Sequence, residues 1–220
     1  MARKIKNNWI VPQGQALTER DEIILDYQSK GYLVPSRALI KTEEEIEGIL
    51  DMIEGEIKEG ISTERINRLV HEYTLDHGAV PAPLNYEGFP KSVCTSINDV
   101  VCHGIPCDEE LLFDGDIVNV DVTSILNGYY ADASRMYIVG QTSHEWKRLV
   151  DVAKECRDIG AQVTKPYTFV GDMAKAITDH AHKNGYTVVR EFCGHGVGTV
   201  FHEDPEVFHY ARRGKSGMLL

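Results

Sequence analysis

One hairpin decides the fold of this chain: DIVNVDVTSIL-NG-YYADASRMYIV, residues 116–139. Apolar and polar residues alternate along both of its arms, which is the pattern of strands with one buried face. The Asn127-Gly128 pair between the arms is the strongest short-range signal for a two-residue hairpin turn. We therefore expect two antiparallel strands, Asp116–Leu126 and Tyr129–Val139.

The turn also sets which residues share a face of the sheet. Counting outward from it places Asp121 opposite Ser134, and Asp132 opposite Thr123. All four then lie on one face, with the two aspartates as diagonal neighbours about 7–8 Å apart. Two carboxylates this close repel each other, and a pair of divalent cations would satisfy both. A solvated polar face is the alternative that spacing alone leaves open, and a one-residue bulge would separate the two aspartates.

A second hairpin is expected just before the first, with Ser92–Ile97 and Val100–His103 as strands around Asn98-Asp99. Cys94 then faces His103. The pair suits two walls of a pocket, although a buried cysteine beside a hydrogen-bonded histidine is the more frequent arrangement. Nothing in the sequence indicates an activated thiolate.

The flanking segments predict two helices followed by strands, twice over, and hence an α+β fold with two pseudo-equivalent halves. Capping boxes are expected at Thr42 with Glu45 and at Thr142 with Glu145. The other predicted elements are a short helix within Thr18–Lys30, a helix capped by Ser62 or Thr63, a helix near Val170–Lys183 and a strand at Tyr186–Phe192.

Composition excludes several classes of function. The 220 residues include 23 Lys plus Arg and 34 Asp plus Glu, for a net charge of −11. That balance argues against nucleic acid or an anionic membrane as partner, and no apolar run approaches the ~18 residues of a membrane helix. Five cysteines without a CxxC pair indicate a reduced, cytoplasmic protein.

Two histidines add to the aspartate pair. His195 stands between glycines, which allow the backbone to approach a ligand or metal closely. His202 follows between Phe201 and Glu203. Six short motifs now occur in order: KSVC (91–94), VCHGIP (101–106), VNVDVT (118–123), ADAS (131–134), GHGVG (194–198) and FHE (201–203).

In order and spacing these motifs resemble the type I methionine aminopeptidases, from about Ile40 to the C-terminus. The resemblance implies the pita-bread fold, with two pseudo-symmetric halves of helices packed on a curved antiparallel sheet. It divides the chain into an N-terminal arm, residues 1–39, and a peptidase domain, residues 40–220. It also implies that Asp121, Asp132 and His195 ligate two divalent metal ions, and Co, Mn, Fe or Zn suits such ligands.

The same resemblance implies an enzyme that removes the initiator methionine from nascent proteins, as a metal-bridging hydroxide attacks the first peptide bond. His103 and His202 would hydrogen-bond the substrate around that bond as catalytic residues. The substrate pocket would be lined by Tyr86, Phe89, Cys94, His103, His202 and Phe201. The expected partners are N-terminal Met peptides and, transiently, the ribosome, for a monomer that binds neither nucleic acid nor membrane.

One departure from the family sets the alternative. Family members carry two further glutamate ligands on strands beyond the point where this sequence ends, so the fold is expected to be C-terminally incomplete. The alternative hypothesis is therefore a non-catalytic pita-bread binding protein or an inactive fragment. Relatives that cleave beside proline are a third possibility, but they usually carry an additional N-terminal domain.

Overall fold

The computed structural model describes residues 14, 16–30, 37–165 and 168–210. The rest of the predicted arm lies outside the described residues. Helix α1 spans Glu19–Ser29. Its start is capped reciprocally, because Thr18 Oγ1 accepts from the Asp21 amide at 3.1 Å and the Asp21 carboxylate accepts from the Thr18 amide at 3.0 Å. The helix predicted within Thr18–Lys30 is confirmed.

Helix α2 spans Arg37–Glu54, so the capping box predicted at Thr42 with Glu45 is wrong. The preceding residues are good helix formers and extend the helix a further turn toward the N-terminus. Thr42 and Glu45 therefore lie in the helix interior, and both are buried. Neither Glu45 carboxylate oxygen has a hydrogen-bond partner in the described part of the chain.

Helix α3 spans Thr63–Asp76, and the cap predicted for it is confirmed at Ser62. The Ser62 side chain accepts a hydrogen bond from the Arg65 amide. Strands β1 (Val80–Pro81), β2 (Cys94–Ile97), β3 (Ile117–Leu126) and β4 (Tyr129–Ile138) then form one antiparallel sheet. β4 pairs with one edge of β3, whereas β1 and β2 follow one another along the opposite edge.

The register predicted for the β3–β4 hairpin is confirmed. Asp121 pairs with Ser134 and Thr123 pairs with Asp132, with no bulge between them. The alternation of faces is also confirmed, because the valines of β3 are buried on the side that α2 and α3 cover. The resulting core comprises, among others, Val118, Val120, Val122, Ile46, Ile49, Ile53, Ile66 and Val70.

The hairpin predicted over Ser92–His103 is wrong. β2 pairs with β3, and Cys94 lies opposite Asp121 rather than His103. The segment after β2 forms a loop that returns to the strand at a single point, where the Thr95 amide donates to the Gly104 carbonyl at 3.0 Å. β3 is held along all ten of its residues by β4, so its other edge is a preformed partner for all four residues of β2.

The second half begins with α4 (His144–Val163) and α5 (Val170–Lys183), which pack together. The α5 prediction is confirmed. The cap of α4 is Ser143, which accepts from the Trp146 amide at 3.2 Å. The box predicted at Thr142 with Glu145 is wrong, because the Thr142 hydroxyl donates instead to the Gly115 carbonyl at 2.6 Å.

Two short strands, β5 (Gly194–Gly196) and β6 (Glu203–Val207), pair antiparallel after α5. The strand predicted at Tyr186–Phe192 is wrong, since this segment has no regular structure. In the described part of the chain β5 and β6 use each other as partners, so the segment has no strand beside it. The order of two helices followed by strands, repeated once, agrees with the prediction.

Candidate active site

The second face of the sheet carries a carboxylate pair. Asp121 on β3 and Asp132 on β4 lie on the face opposite the buried valines, at the diagonal positions that the register requires. Burial, together with the Asp132 carboxylate beside it, raises the pKa of Asp121 to about 7. The electrostatic field at this point therefore favours an added positive charge.

His195 brings an imidazole to the same carboxylates from the second half of the molecule. Its Nε2 lies 3.4 Å from Oδ2 of Asp132, and its Nδ1 lies 2.9 Å from the carbonyl oxygen of Gly196. Because a carbonyl oxygen only accepts, Nδ1 carries the proton, and in the neutral ring Nε2 is left with a lone pair. Two acceptor atoms then face each other at the carboxylate, an arrangement that a metal cation satisfies.

The donor chemistry of these three side chains fits a divalent transition-metal ion. Mixed carboxylate and imidazole donors suit Mn, Fe, Co or Zn better than Ca or Mg. Among the described residues, no three His, Cys, Asp or Glu side chains are gathered closely enough to hold a metal ion as they stand. The fit of Asp121, Asp132 and His195 to a metal ion therefore rests on their donor atoms, their charge and the tautomer of His195.

The glycines around His195 serve the packing of β5 against β6. A Cβ added at Gly196 would lie 2.3 Å from the Asp204 carbonyl oxygen, and one at Gly198 would lie 2.7 Å from the Glu203 carboxylate. The backbone at Gly196 and Gly198 therefore approaches β6 closely. From the sequence, a close approach to a ligand or metal was expected. The Gly198 carbonyl also accepts from the Tyr130 amide at 2.7 Å, which ties this loop to β4.

His202 lies in an aromatic cluster beside His195. The two imidazole centroids are 4.3 Å apart, and the Phe201 ring stacks on His202 at 4.4 Å. Burial and the neighbouring His195 lower the pKa of His202, with a further contribution from His103, while Asp132 and Glu87 oppose the shift. The effect favours a neutral His202 imidazole, which keeps one nitrogen as donor and one as acceptor.

Tyr86 forms the outer wall of this cluster. Its ring lies 4.7 Å from Phe201, and its hydroxyl lies 3.0 Å from Nδ1 of His202. It stands in a short 3₁₀ turn, Tyr86–Gly88, which Phe89 closes by donating its amide to the Tyr86 carbonyl. The turn thus places Tyr86 at the edge of the cluster beside Phe201, whereas the contacts of Phe89 are backbone hydrogen bonds within the turn.

Cys94 and His103 do not form the facing pair that the predicted hairpin required, because Cys94 lies opposite Asp121. Cys94 is 7% exposed beside the carboxylates, and burial, with Asp121, Asp132 and Cys102, raises the pKa of its thiol to about 12. The raised pKa favours the neutral thiol, which is a poor nucleophile. Cys94 therefore presents a small apolar side chain beside Asp121, its partner on β3.

His103 projects from the loop after β2 and packs edge-on against Phe192 at 6.0 Å. Its φ of 56° lies in the left-handed region, which β-carbon-bearing residues rarely adopt. The next residue, Gly104, lies so close to β2 that an added Cβ would be 1.9 Å from the Thr95 carbonyl oxygen. The loop backbone is therefore in close contact with β2 directly after His103.

Sequence reasoning missed two aromatic residues of the site. Tyr130 stacks on Phe201 with centroids 6.0 Å apart, and Phe192 packs on His103. Tyr130 could have been found, because it lies two residues before Asp132 on a strand of known register. Phe192 stood at the end of a predicted strand, where nothing in the pattern pointed to His103.

Similarity to known proteins identifies the family of the chain. The sequence matches metallopeptidase family M24 over residues 39–220, and the chain belongs to that family. Within it, the relatives by sequence are methionine aminopeptidases. The protein of that name from Rickettsia prowazekii is 50% identical over 165 residues, which is 75% of this chain and 63% of the relative. Methionine aminopeptidase A of Synechocystis is 46% identical over 171 residues, which is 78% of this chain and 68% of the relative.

The structure also matches a solved relative. The methionine aminopeptidase of Thermotoga maritima superposes with a TM-score of 0.81 at 33% identity, over 83% of this chain and 73% of that one. The fold is therefore the pita-bread α+β fold. The chain spans 63% and 68% of the lengths of the two sequence relatives above.

In the described part of the chain, the helices lack an apolar stretch of the length needed to span a membrane.

Proposed function

We propose that this chain is a metal-dependent aminopeptidase, or the greater part of one, that removes methionine from the N-termini of nascent proteins. One observation carries the proposal: Asp132, His195, His202 and Tyr86 form an unbroken chain of contacts that joins a carboxylate pair to an aromatic pocket. The names of the sequence relatives support the same activity.

Asp121, Asp132 and His195 would hold the metal ions. When bound, divalent ions supply Lewis-acid polarisation of a peptide carbonyl and a water nucleophile that is available at neutral pH. The carboxylates of this chain provide the negative charge that holds such ions. The Gly196 carbonyl fixes the His195 tautomer that leaves Nε2 free to ligate.

The remaining residues bind and orient the substrate. His202 and His103 would flank the centre, and a ring N–H of each could donate a hydrogen bond to the oxygen of the scissile peptide. Tyr86, Phe89, Phe201 and Cys94 present apolar surface beside that position. An unbranched, polarizable methionine side chain suits a pocket of this kind.

The substrate class implies the setting. Nascent chains with N-terminal methionine are available in the cytoplasm, where contact with the ribosome would be transient. We propose that the protein acts there as a monomer. Two ions of Co, Mn, Fe or Zn are the proposed cofactors.

The test is methionine release from a Met-Ala-Ser tripeptide in the presence of Mn²⁺ or Co²⁺. It is run on the 220-residue chain and on the longest product of its gene. We expect release that chelation abolishes, and a much slower reaction with Leu-Ala-Ser. Stoichiometric peptide binding without release by every form would refute the proposal and favour the non-catalytic binding protein.

A further inference from the structure

A hydrogen bond joins the two halves of the molecule at the site. The Tyr86 hydroxyl, from the segment between β1 and β2, lies 3.0 Å from Nδ1 of His202, which immediately precedes β6. The His202 ring is held on two further sides, by Phe201 at 4.4 Å and by His195 at 4.3 Å. Its orientation is thus set by three neighbours, and within the described part of the chain Tyr86 is the one that forms a hydrogen bond with the ring.

The turn that carries Tyr86 is strained. Asn85 and Glu87, on either side of it, have φ values of 66° and 49°, in the left-handed region that side chains other than glycine rarely occupy. Such conformations persist only where the surroundings hold them, and they concentrate at functional sites. Here the Asn85 amide donates to the Phe89 carbonyl at 2.7 Å, and the Phe89 amide donates to the Tyr86 carbonyl at 2.9 Å.

Apolar packing alone does not require this geometry. A phenylalanine at position 86 would make the same ring contact with Phe201, so the hydroxyl is the part of Tyr86 that packing leaves unexplained. The exposed fraction of Tyr86 is 37%, so water could satisfy the hydroxyl. The strained turn instead points it at one nitrogen of His202.

We propose that Tyr86 is a positioning residue, whose hydroxyl donates to Nδ1 of His202 and so keeps the proton of the neutral ring on Nε2. A phenol is the stronger acid and an imidazole nitrogen the stronger base of this pair, which sets the direction of donation. In the described part of the chain Nε2 of His202 has no hydrogen-bond partner. It is therefore the nitrogen available to donate to the scissile carbonyl oxygen of a substrate.

The inference rests on the proposed function for its consequence, but its physical core is a tautomer that can be measured without catalysis. The probe is the ¹⁵N shift of the two ring nitrogens of His202 in histidine-labelled chain, about two pH units above the ordinary imidazole pKa. The signals are assigned by their loss in His202→Gln. We expect the proton on Nε2 in the wild type and a mixture of both tautomers in Tyr86→Phe.

Kinetics of methionine release supply the second readout. Tyr86→Phe keeps the ring contact, so we expect kcat to fall about two- to tenfold with KM changed less than twofold. Tyr86→Leu loses the ring as well, and KM should rise too. Tyr129→Phe removes the hydroxyl of another half-buried tyrosine, which has no partner among the described residues, and should leave both constants unchanged.

Two results would overturn the inference: a wild-type proton on Nδ1, or a tautomer that Tyr86→Phe does not shift. Failure of the proposed function looks different. If no form of the protein releases methionine, the ¹⁵N shifts still decide whether Tyr86 sets the tautomer of His202.

Discussion

Asp132 and His195 meet across the two halves of the molecule, with 3.4 Å between Oδ2 and Nε2. Asp132 is fixed by the β3–β4 ladder, and His195 is fixed by its hydrogen bond to Gly196 and by the pairing of β5 with β6. Both atoms are acceptors when the imidazole is neutral. A cation bound between a neutral imidazole and this carboxylate would satisfy both acceptors and should tighten the junction between the halves.

The first prediction concerns metal-free stability. Because the pKa of Asp121 rises from 3.8 to about 7 on folding, ionisation of this group destabilises the metal-free protein as pH rises between these values. Asp121→Asn should therefore raise the metal-free free energy of unfolding at pH 7, by about 1–2 kcal/mol. Mn²⁺ should raise the Tm of the wild type and have little effect on the variant.

Asp151→Asn is the matched control, since Asp151 is an exposed aspartate whose ion pair with Lys147 is on the surface of α4. It should change the free energy of unfolding by no more than a few tenths of a kcal/mol and should leave the rise in Tm with Mn²⁺ as in the wild type. Equal metal stabilisation of wild type and Asp121→Asn would remove Asp121 from the set of ligands.

The second prediction concerns Glu45, a buried carboxylate whose pKa burial raises, while Ser124 and His77 offset part of the shift. Its folded pKa lies above the ordinary 4.5, so its contribution to stability is complete below that pH and is lost as pH rises through the folded value. Glu45→Gln should flatten this part of the stability–pH curve. Glu45→Met should stabilise the protein by about 1–3 kcal/mol at pH 7.

Glu47→Gln, an exposed change on the same helix, should keep the wild-type pH dependence. Urea unfolding at several pH values measures all three variants. A Glu45→Gln curve parallel to the wild type would show that the carboxylate is solvated or paired in solution.

The third prediction concerns the loop that carries His103. Gly104→Ala would place a Cβ 1.9 Å from the Thr95 carbonyl oxygen, so either the loop or β2 must move. We expect a loss of about 2–4 kcal/mol in stability and a larger loss in kcat/KM, because His103 moves with the loop. Gly55→Ala meets only an ordinary contact at 3.6 Å and should be nearly neutral in both measurements.

The fourth prediction concerns thiol reactivity. Cys94 is buried with a pKa of about 12, whereas Cys102, Cys107, Cys156 and Cys193 are half-exposed. Iodoacetamide at pH 8 should therefore alkylate Cys94 last, as mass spectrometry of timed digests would show. Early alkylation of Cys94 would mean that solvent reaches the thiol from the side of the sheet that carries Asp121 and Asp132.

The local parts of the fold could be predicted from the sequence. Alternation along β3 and β4 and the Asn127-Gly128 turn are short-range signals, and they sufficed for the hairpin register and for the shared face of Asp121 and Asp132. The partner of β2 could not be predicted in this way. Its pairing with β3 joins residues more than twenty positions apart in the chain, a long-range contact that no local pattern records.

The junction between the halves was also beyond local patterns. The hydrogen bond between Tyr86 and His202 depends on left-handed backbone at Asn85 and Glu87, and neither residue type demands that conformation. Likewise, the glycines beside His195 were expected to face a ligand but face β6. In each case the neighbour that the residue contacts comes from another part of the chain, which local patterns do not record.

The strict alternation along β3 has a consequence for how this protein can evolve. Val118, Val120 and Val122 belong to the buried face and Asp121 to the opposite face. Residues that stabilise the core therefore alternate along this strand with residues of the proposed site. Point changes can adjust either trait separately. A single-residue insertion or deletion between Ile117 and Asp121 would exchange the two faces of part of the strand. Valines would then leave the core, and a carboxylate would face the helices. Lineages of this gene should therefore vary in length at their loops and helix ends, and keep this strand free of gaps.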